Sequence, residues 1–362
     1  MIPVIVVDRL RTAELTRATA AVAVFVAVAA SGMSANAAPL VQTYAQAIGG
    51  QSAGLSPPGC STFSAPAPVS SFFGSNGIGN PIGGNATCGV ADDTHTSTAA
   101  SGLLTDSASL STTFNSGNNS FTGSASANAR QGKVGAEAHG TLTGGVNSLL
   151  VDGAQAFGMF REAITATSPT VANGTAGKAV FTFTVDGSLK TTNAPSFVTT
   201  SDVEVMYQAA SGPSTTLFRS QVNNSTVNPF LVAPTTPGNP IGGFAVGPGT
   251  AAGSGTFDTF EFNFTWGTSF DFALGLLAYV IPGTNGTGDV DFSASALLTG
   301  ISLRDAAGNA ITDFGIASGS GTTYDANGVR LASVPGVPEP ASLACLAFGL
   351  AGLGFARRRR AG

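Results

Sequence analysis

The chain is poor in the residues that do chemistry. Its 362 residues include two histidines, three cysteines and one tryptophan, and charged residues make up only 10%. Two histidines and scattered cysteines do not give the ligand spacing of a zinc site. No P-loop, EF-hand or dinucleotide fingerprint occurs. Lys and Arg number 15 against 20 Asp and Glu, a net charge of −5. An acidic, charge-poor surface is a weak partner for nucleic acid or anionic lipid. No apolar run reaches the ~18 residues that a permanent membrane span calls for. What is abundant is small: 48 glycines, with Ser, Thr and Asn supplying the hydrophilic surface.

The two ends carry the sharpest patterns. Arg9, Arg11 and Arg17 precede the apolar stretch Ala18 to Ala30, and Ala35-Asn36-Ala37 follows. Small residues at Ala35 and Ala37 suit a signal peptidase, so 1–37 is expected to be a secretory signal peptide cleaved after Ala37. At the other end Val337-Pro338-Glu339-Pro340 leads into the apolar run 341–356, then Arg357, Arg358, Arg359 and Arg360. Sixteen helical residues rise about 24 Å, short of a bilayer core of about 30 Å. Gly349, Gly352 and Gly354 weaken the helix further. The arginines snorkel and favour the cytoplasmic side, leaving the body across the membrane. Pro338 and Pro340 keep Glu339 on an extended approach.

In this order, the parts resemble the PEP-CTERM sorting signal of Gram-negative bacteria, here covering Val337 to Arg360, or 337–360. The resemblance implies transient insertion in the inner membrane and processing near Pro-Glu-Pro by exosortase, a membrane protease-transpeptidase. It further implies an exported protein associated with exopolysaccharide, biofilm or floc. The module also bears a label taken from ice-binding proteins, which describes the tail and not the body.

Both processing steps would leave about Ala38 to Pro338. That region keeps 8 of the 15 basic and 17 of the 20 acidic residues, a net charge of −9. It contains two cysteines, Cys60 and Cys88. In an oxidising compartment these are expected to pair, closing a loop rich in Pro and Gly. In the chain-entropy model such a bridge contributes about 3–4 kcal/mol.

The region reads as β throughout. Ser124 to Asn128 and Lys133 to His139 alternate small and polar residues about Gln131-Gly132, which predicts a hairpin with Val134, Ala136 and Ala138 inward. Asp186-Gly187 predicts a second hairpin turn. Val203, Val205 and Tyr207 share one face. Phe260, Phe262 and Phe264 alternate, and Phe270, Phe272, Leu274 and Leu276 continue the period. Val290 to Ala296, Leu298 to Leu303 and Ile311 to Ile316 predict further strands, with a tight turn at Asp305 to Asn309. The best helix candidate is Val41 to Ile48. The expected fold is all-β, a two-sheet antiparallel sandwich or jelly roll over 96–331, preceded by a loop-rich segment 38–95. The pattern of Gly288 to Tyr324 is also similar to the end of the β-sandwich in many PEP-CTERM proteins.

Catalytic patterns are thin. Gly50-Gln51-Ser52-Ala53-Gly54 matches G-x-S-x-G, with Asp106 and His139 following in hydrolase order, but without the strand–turn–helix setting that motif requires. His95 with Asp92 and Asp93, the pair Asp289 and Asp291, and Asp305 with Asp313 are the arrangements that could approach a metal ion. No catalytic residue, metal or cofactor is assigned. The expected function is a non-enzymatic surface or matrix protein. The alternatives are a glycan hydrolase or lyase of that matrix, or a carbohydrate- or ice-binding adhesin. The enzyme would need paired carboxylates from Glu137, Glu162, Glu204, Glu261 or the aspartates, and sugar platforms beyond Trp266. The adhesin would need Thr-x-Thr arrays on successive strands, and none with a fixed period is visible.

Overall fold

The computed structural model describes residues 38–49, 91–114, 118–144, 152–192, 199–210, 212–223, 230–232, 243–247 and 249–329. Twenty strands lie among them: β1 (Leu40–Gly49), β2 (Ala91–Ala99), β3 (Leu104–Phe114), β4 (Asn119–Arg130), β5 (Lys133–Thr143), β6 (Gly153–Thr167), β7 (Ala176–Thr192), β8 (Thr200–Ala209), β9 (Thr215–Asn223), β10 (Phe230–Val232), β11 (Phe244–Gly247), β12 (Thr250–Asp258), β13 (Phe262–Thr265), β14 (Ser269–Ile281), β15 (Thr287–Phe292), β16 (Leu297–Asp305), β17 (Ala310–Ile311), β18 (Gly315–Ser318), β19 (Tyr324–Asp325) and β20 (Gly328–Val329). No helix occurs among the described residues.

The strands form two sheets, and every pairing is antiparallel. Sheet I runs β10-β9-β8-β14-β6. The far edge of β6 is then shared: β1 and β2 extend from its first half, and β18, β19 and β20 from its last residues. Sheet II runs β11-β12-β7-β15-β5-β4-β3, with β16 beside β7 beyond β15 and β13 beside β7 beyond β12. The two sheets face each other over one core.

Period-two alternation makes these strands. In β4, Phe121, Gly123, Ala125, Ala127 and Ala129 point inward, and the intervening Ser, Thr and Asn residues point out. The predicted hairpin is present, with Arg130 opposite Lys133 and Gly132 at φ 78°. The Asp305–Asn309 turn is also present, closed by Asp305 N to Asn309 O at 3.0 Å.

Several expectations are corrected. Val41 to Ile48 is strand, not helix. β1 is held on both edges, by β2 and β6, and is buried on both faces, so its apolar residues need not alternate. The described ends of the segment 38–95 are therefore sheet rather than loop. Asp186-Gly187 is no turn: β7 passes straight through it, flanked by β12 and β15. Gly187 is needed there because a Cβ would lie 2.5 Å from the Phe292 ring. The phenylalanine run breaks between β12 and β13, leaving Phe260 43% exposed. The strand predicted to reach Ala296 ends at Phe292: Ser293 and Ala294 form a turn, and Ala296 stands at φ 53°. Ile311 to Ile316 is split between the sheets, since β17 pairs with β16 and β18 with β6. The signal peptide, Cys60 and Cys88, and the whole tail lie outside the described residues.

Candidate functional site

The outer face of sheet II is rich in hydroxyl side chains. Its strands hold their outward residues in cross-strand rows. One row runs Ser111, Thr122, Thr141, Thr287, Thr192 across β3, β4, β5, β15 and β7. The next runs Ser109, Ser124, His139, Asp289, Lys190, and the third Ser107, Ser126, Glu137, Asp291, Ser188. Neighbours within a row are about 4.8 Å apart, and rows are about 7 Å apart along the strands. The β3 residues, Thr122 and Ser124 are exposed, as are Glu137 and Asp291, while Thr141, His139, Thr287 and Asp289 are half-buried. A hydroxyl both donates and accepts, so the face can bond to any partner rich in hydroxyls.

Its carboxylates are engaged locally. His139 Nδ1 donates to Asp289 Oδ1, and Thr141 Oγ1 lies 3.4 Å from His139 Nε2. Ser126 Oγ donates to Glu137 at 2.7 Å. Asp291 accepts from Ser293 N at 3.2 Å and Ser293 Oγ at 2.8 Å. Thr141 and Thr287 hydroxyls meet at 3.1 Å.

The other sequence candidates separate. Asp106 is on the inner face, accepting from Thr43 Oγ1 at 2.8 Å and Ser97 Oγ at 2.7 Å. His139 is on the outer face of the same sheet, so the two cannot join one triad. Ser52 lies outside the described residues. His95 Nε2 and Asp93 Oδ1 meet at 3.0 Å, and Asp93 also accepts from Ser109 N. Asp289 and Asp291 share a face but serve different partners. Asp305 is tied to Asn309, whose side-chain and backbone hydrogen bonds hold its carboxyl below the usual range. Among the described residues no group of three His, Cys, Asp or Glu could hold a metal.

The four glutamates occupy four settings. Glu137 is on the hydroxyl face. Glu261 pairs with Lys178 at 2.7 Å. Glu162 is fully buried beneath Ser320 and Tyr324. Glu204 is buried on the far face of sheet I, near Asp202 and Arg219. Burial raises its carboxyl to about 7, against the hydrogen bond from Thr216 and the charge of Arg219, with Asp202 adding to the rise. Burial works against the Arg219 charge too, but its bond to Asp202 at 2.9 Å and the nearby acids more than offset this, and its pKa rises. Trp266 is fully buried against Phe264, with ring centroids 5.0 Å apart, so it is core and not a sugar platform.

The hydroxyl rows were not visible as a fixed period in the sequence. Their local signal is the alternation of Ser and Thr through 105–113 and 120–126. The register that aligns them comes only with the folded sheet.

Comparison with family models gives one match, the PEP-CTERM protein-sorting motif, over residues 336–360. Comparisons with curated proteins and with solved structures give no match. The matched residues include the whole sequence pattern Val337 to Arg360, and the motif is the signal that exosortase recognises in proteins it sorts at the membrane. The chain thus carries a PEP-CTERM sorting signal at residues 336–360, a motif that implies export and exosortase-dependent sorting at the membrane.

Proposed function

We propose that the exported protein is a non-enzymatic surface or matrix element whose hydroxyl face on sheet II lies against neutral exopolysaccharide. The observation behind this reading is the alignment of three polar rows across β3, β4, β5, β15 and β7. A neutral glycan offers a repeating field of hydroxyls, and such a face meets it with many modest hydrogen bonds. Each is weak alone, and a polymer engages many at once. Glu137, His139, Asp289 and Asp291 are already hydrogen-bonded within the face, so an uncharged partner costs no broken ion pair there. An ice lattice is a poorer fit, because Glu137, His139, Asp289 and Lys190 interrupt the threonine field with longer side chains.

The test is co-sedimentation of the full chain with washed extracellular polysaccharide from the producing cells. Thr122→Lys with Thr141→Lys places two long cations in the first row. Binding should fall at least about tenfold, with the fold intact by circular dichroism. Undiminished binding of the double variant would remove this face from the reading.

A further inference from the structure

A second site lies away from the hydroxyl face, at the β4–β5 turn. A cavity of about 400 Å³ opens there, lined by Arg130 and Gln131 from the turn, Leu103 from the approach to β3, and Ser320, Thr322 and Thr323 from the β18–β19 loop. That volume falls within the range of small-ligand sites, roughly 300–1,000 Å³.

Its walls are pinned from behind. Gln131 is buried and donates to Ala100 O at 3.0 Å, fixing the loop before β3. Glu162, fully buried, accepts from Ser320 N at 3.0 Å, from Ser320 Oγ, and from Tyr324 OH at 3.3 Å. Ser320 and Thr322 hydroxyls meet at 2.8 Å. The β18–β19 loop is therefore held in shape by a carboxylate that does not itself line the cavity.

Arg130 is the anomaly. Its Nε is buried without an acceptor, and its guanidinium has no hydrogen-bond or ion-pair partner among the described residues. Partly buried guanidinium groups are ordinarily paired, and their fork of donors matches a carboxylate. Hydroxyls and an amide surround this one. At the rim Leu103 is 62% exposed, one of only two large apolar side chains so exposed among the described residues. A cation, several hydroxyls and one apolar contact together suit a compact ligand that has a carboxylate, hydroxyls and a C–H face.

We propose that this cavity binds a hexuronate, with the sugar carboxylate on Arg130 and ring hydroxyls on the Ser320–Thr323 loop. The site is independent of the hydroxyl face of sheet II and does not require that reading to hold.

Isothermal titration of the full chain in detergent with D-glucuronate, D-glucose and inorganic phosphate tests it. Glucuronate should bind, and glucose should bind at least about tenfold more weakly. Arg130→Gln should lose about ten- to a hundredfold in glucuronate affinity, the weight of one charge-assisted pair. Arg130→Lys keeps the charge without the fork and should fall between. Thermal unfolding of each variant checks the fold. Equal affinity in wild type and Arg130→Gln, or no glucuronate binding at tens of millimolar, would overturn the site. Phosphate binding as tightly as glucuronate would overturn the sugar and leave an anion site only. Loss of glucuronate binding in Thr122→Lys with Thr141→Lys would show that the two surfaces are not independent.

Discussion

The two ends of the core are built from different material. Between β3, β4, β5, β1 and the first half of β6, the inward residues are largely alanine: Ala45, Ala47, Ala108, Ala125, Ala127, Ala129, Ala136, Ala138, Ala154 and Ala156, all buried. Around β7, β12, β13 and β14 phenylalanine takes over, with Phe181, Phe183, Phe257, Phe264, Phe270 and Phe272 all buried. Phe272 alone has Phe181, Phe183, Phe160, Phe262 and Tyr207 with ring centroids at 4.6, 5.9, 6.3, 6.3 and 6.3 Å. Small side chains leave little to fill a normal sheet–sheet gap of about 10 Å, so the sheets must close up. They do: a Cβ on Gly158 of sheet I would stand 2.7 Å from Asn128 O and 3.1 Å from Gly135 O of sheet II. One end gains stability from aromatic area, the other from close backbone approach and inward hydrogen bonds such as those of Asp106.

The difference predicts unequal mutational costs. Phe272→Ala should lose about 3–5 kcal/mol, the usual range for emptying a buried aromatic site. Ala136→Gly, equally buried, should lose about 1 kcal/mol. Urea unfolding of both variants measures the contrast. Similar losses would mean that the two ends do not differ in how they are held.

Burial behind the aromatic end is deep enough to reach a carboxylate. Glu204 is 3% exposed on the outer side of β8, and its folded pKa is raised to about 7 from 4.5. A raised carboxylate binds its proton more tightly in the folded state. Its ionisation therefore costs stability as pH rises from about 4.5 to 7, and the cost is complete above that. Glu204→Gln removes the ionisation and keeps an acceptor for Thr216. It should gain up to about 3 kcal/mol at pH 8 and little at pH 4.5. A gain that does not depend on pH would show that Glu204 stays ionised without penalty.

At the alanine end the sensitive change is addition. Gly158→Ala should cost about 1–3 kcal/mol, because backbone oxygens cannot swing aside as a side chain would. Gly315→Ala meets only Thr167 Oγ1 at 3.5 Å and should stay within about 0.5 kcal/mol of wild type. Equal effects would mean that the sheets at the alanine end have room to spare.

The local chemistry of strands and turns was legible in the sequence, and the pairing of distant strands was not. Gln131-Gly132 and Asp305 to Asn309 are decided by neighbouring residues and were readable. Asp186-Gly187 misleads because its glycine answers to Phe292, more than a hundred positions away. β1 misleads because pairing on both edges and burial on both faces erase the alternation that marks a strand. The hydroxyl face depends on register among β3, β4, β5, β15 and β7, and β15 joins β5 across some 150 positions. The Arg130 cavity likewise gathers residues from separated stretches, and nothing in the sequence links the Gln131-Gly132 turn to the others. Only the sorting motif, contiguous and read as a linear signal, was complete in the sequence.

The smallest expected effect bears on where the hydroxyl face sits. It covers the outside of β3, β4 and β5, the alanine end, where the core gains least from side-chain area. If the outer rows helped to hold that end together, removing their hydroxyls would cost stability. Thr122 and Ser124 are exposed, and the only side-chain hydrogen bond described for either is Thr122 with Ser111 at 3.5 Å. A bond that long contributes little. Thr122→Ala with Ser124→Ala should thus leave the unfolding free energy within about 0.5 kcal/mol of wild type. The same double variant should bind polysaccharide more weakly than wild type in co-sedimentation. Unchanged stability with weakened binding would assign the rows to the partner. A loss of more than about 1 kcal/mol would assign them to the fold, and the contrast between the two ends would then extend through sheet II to its outer surface.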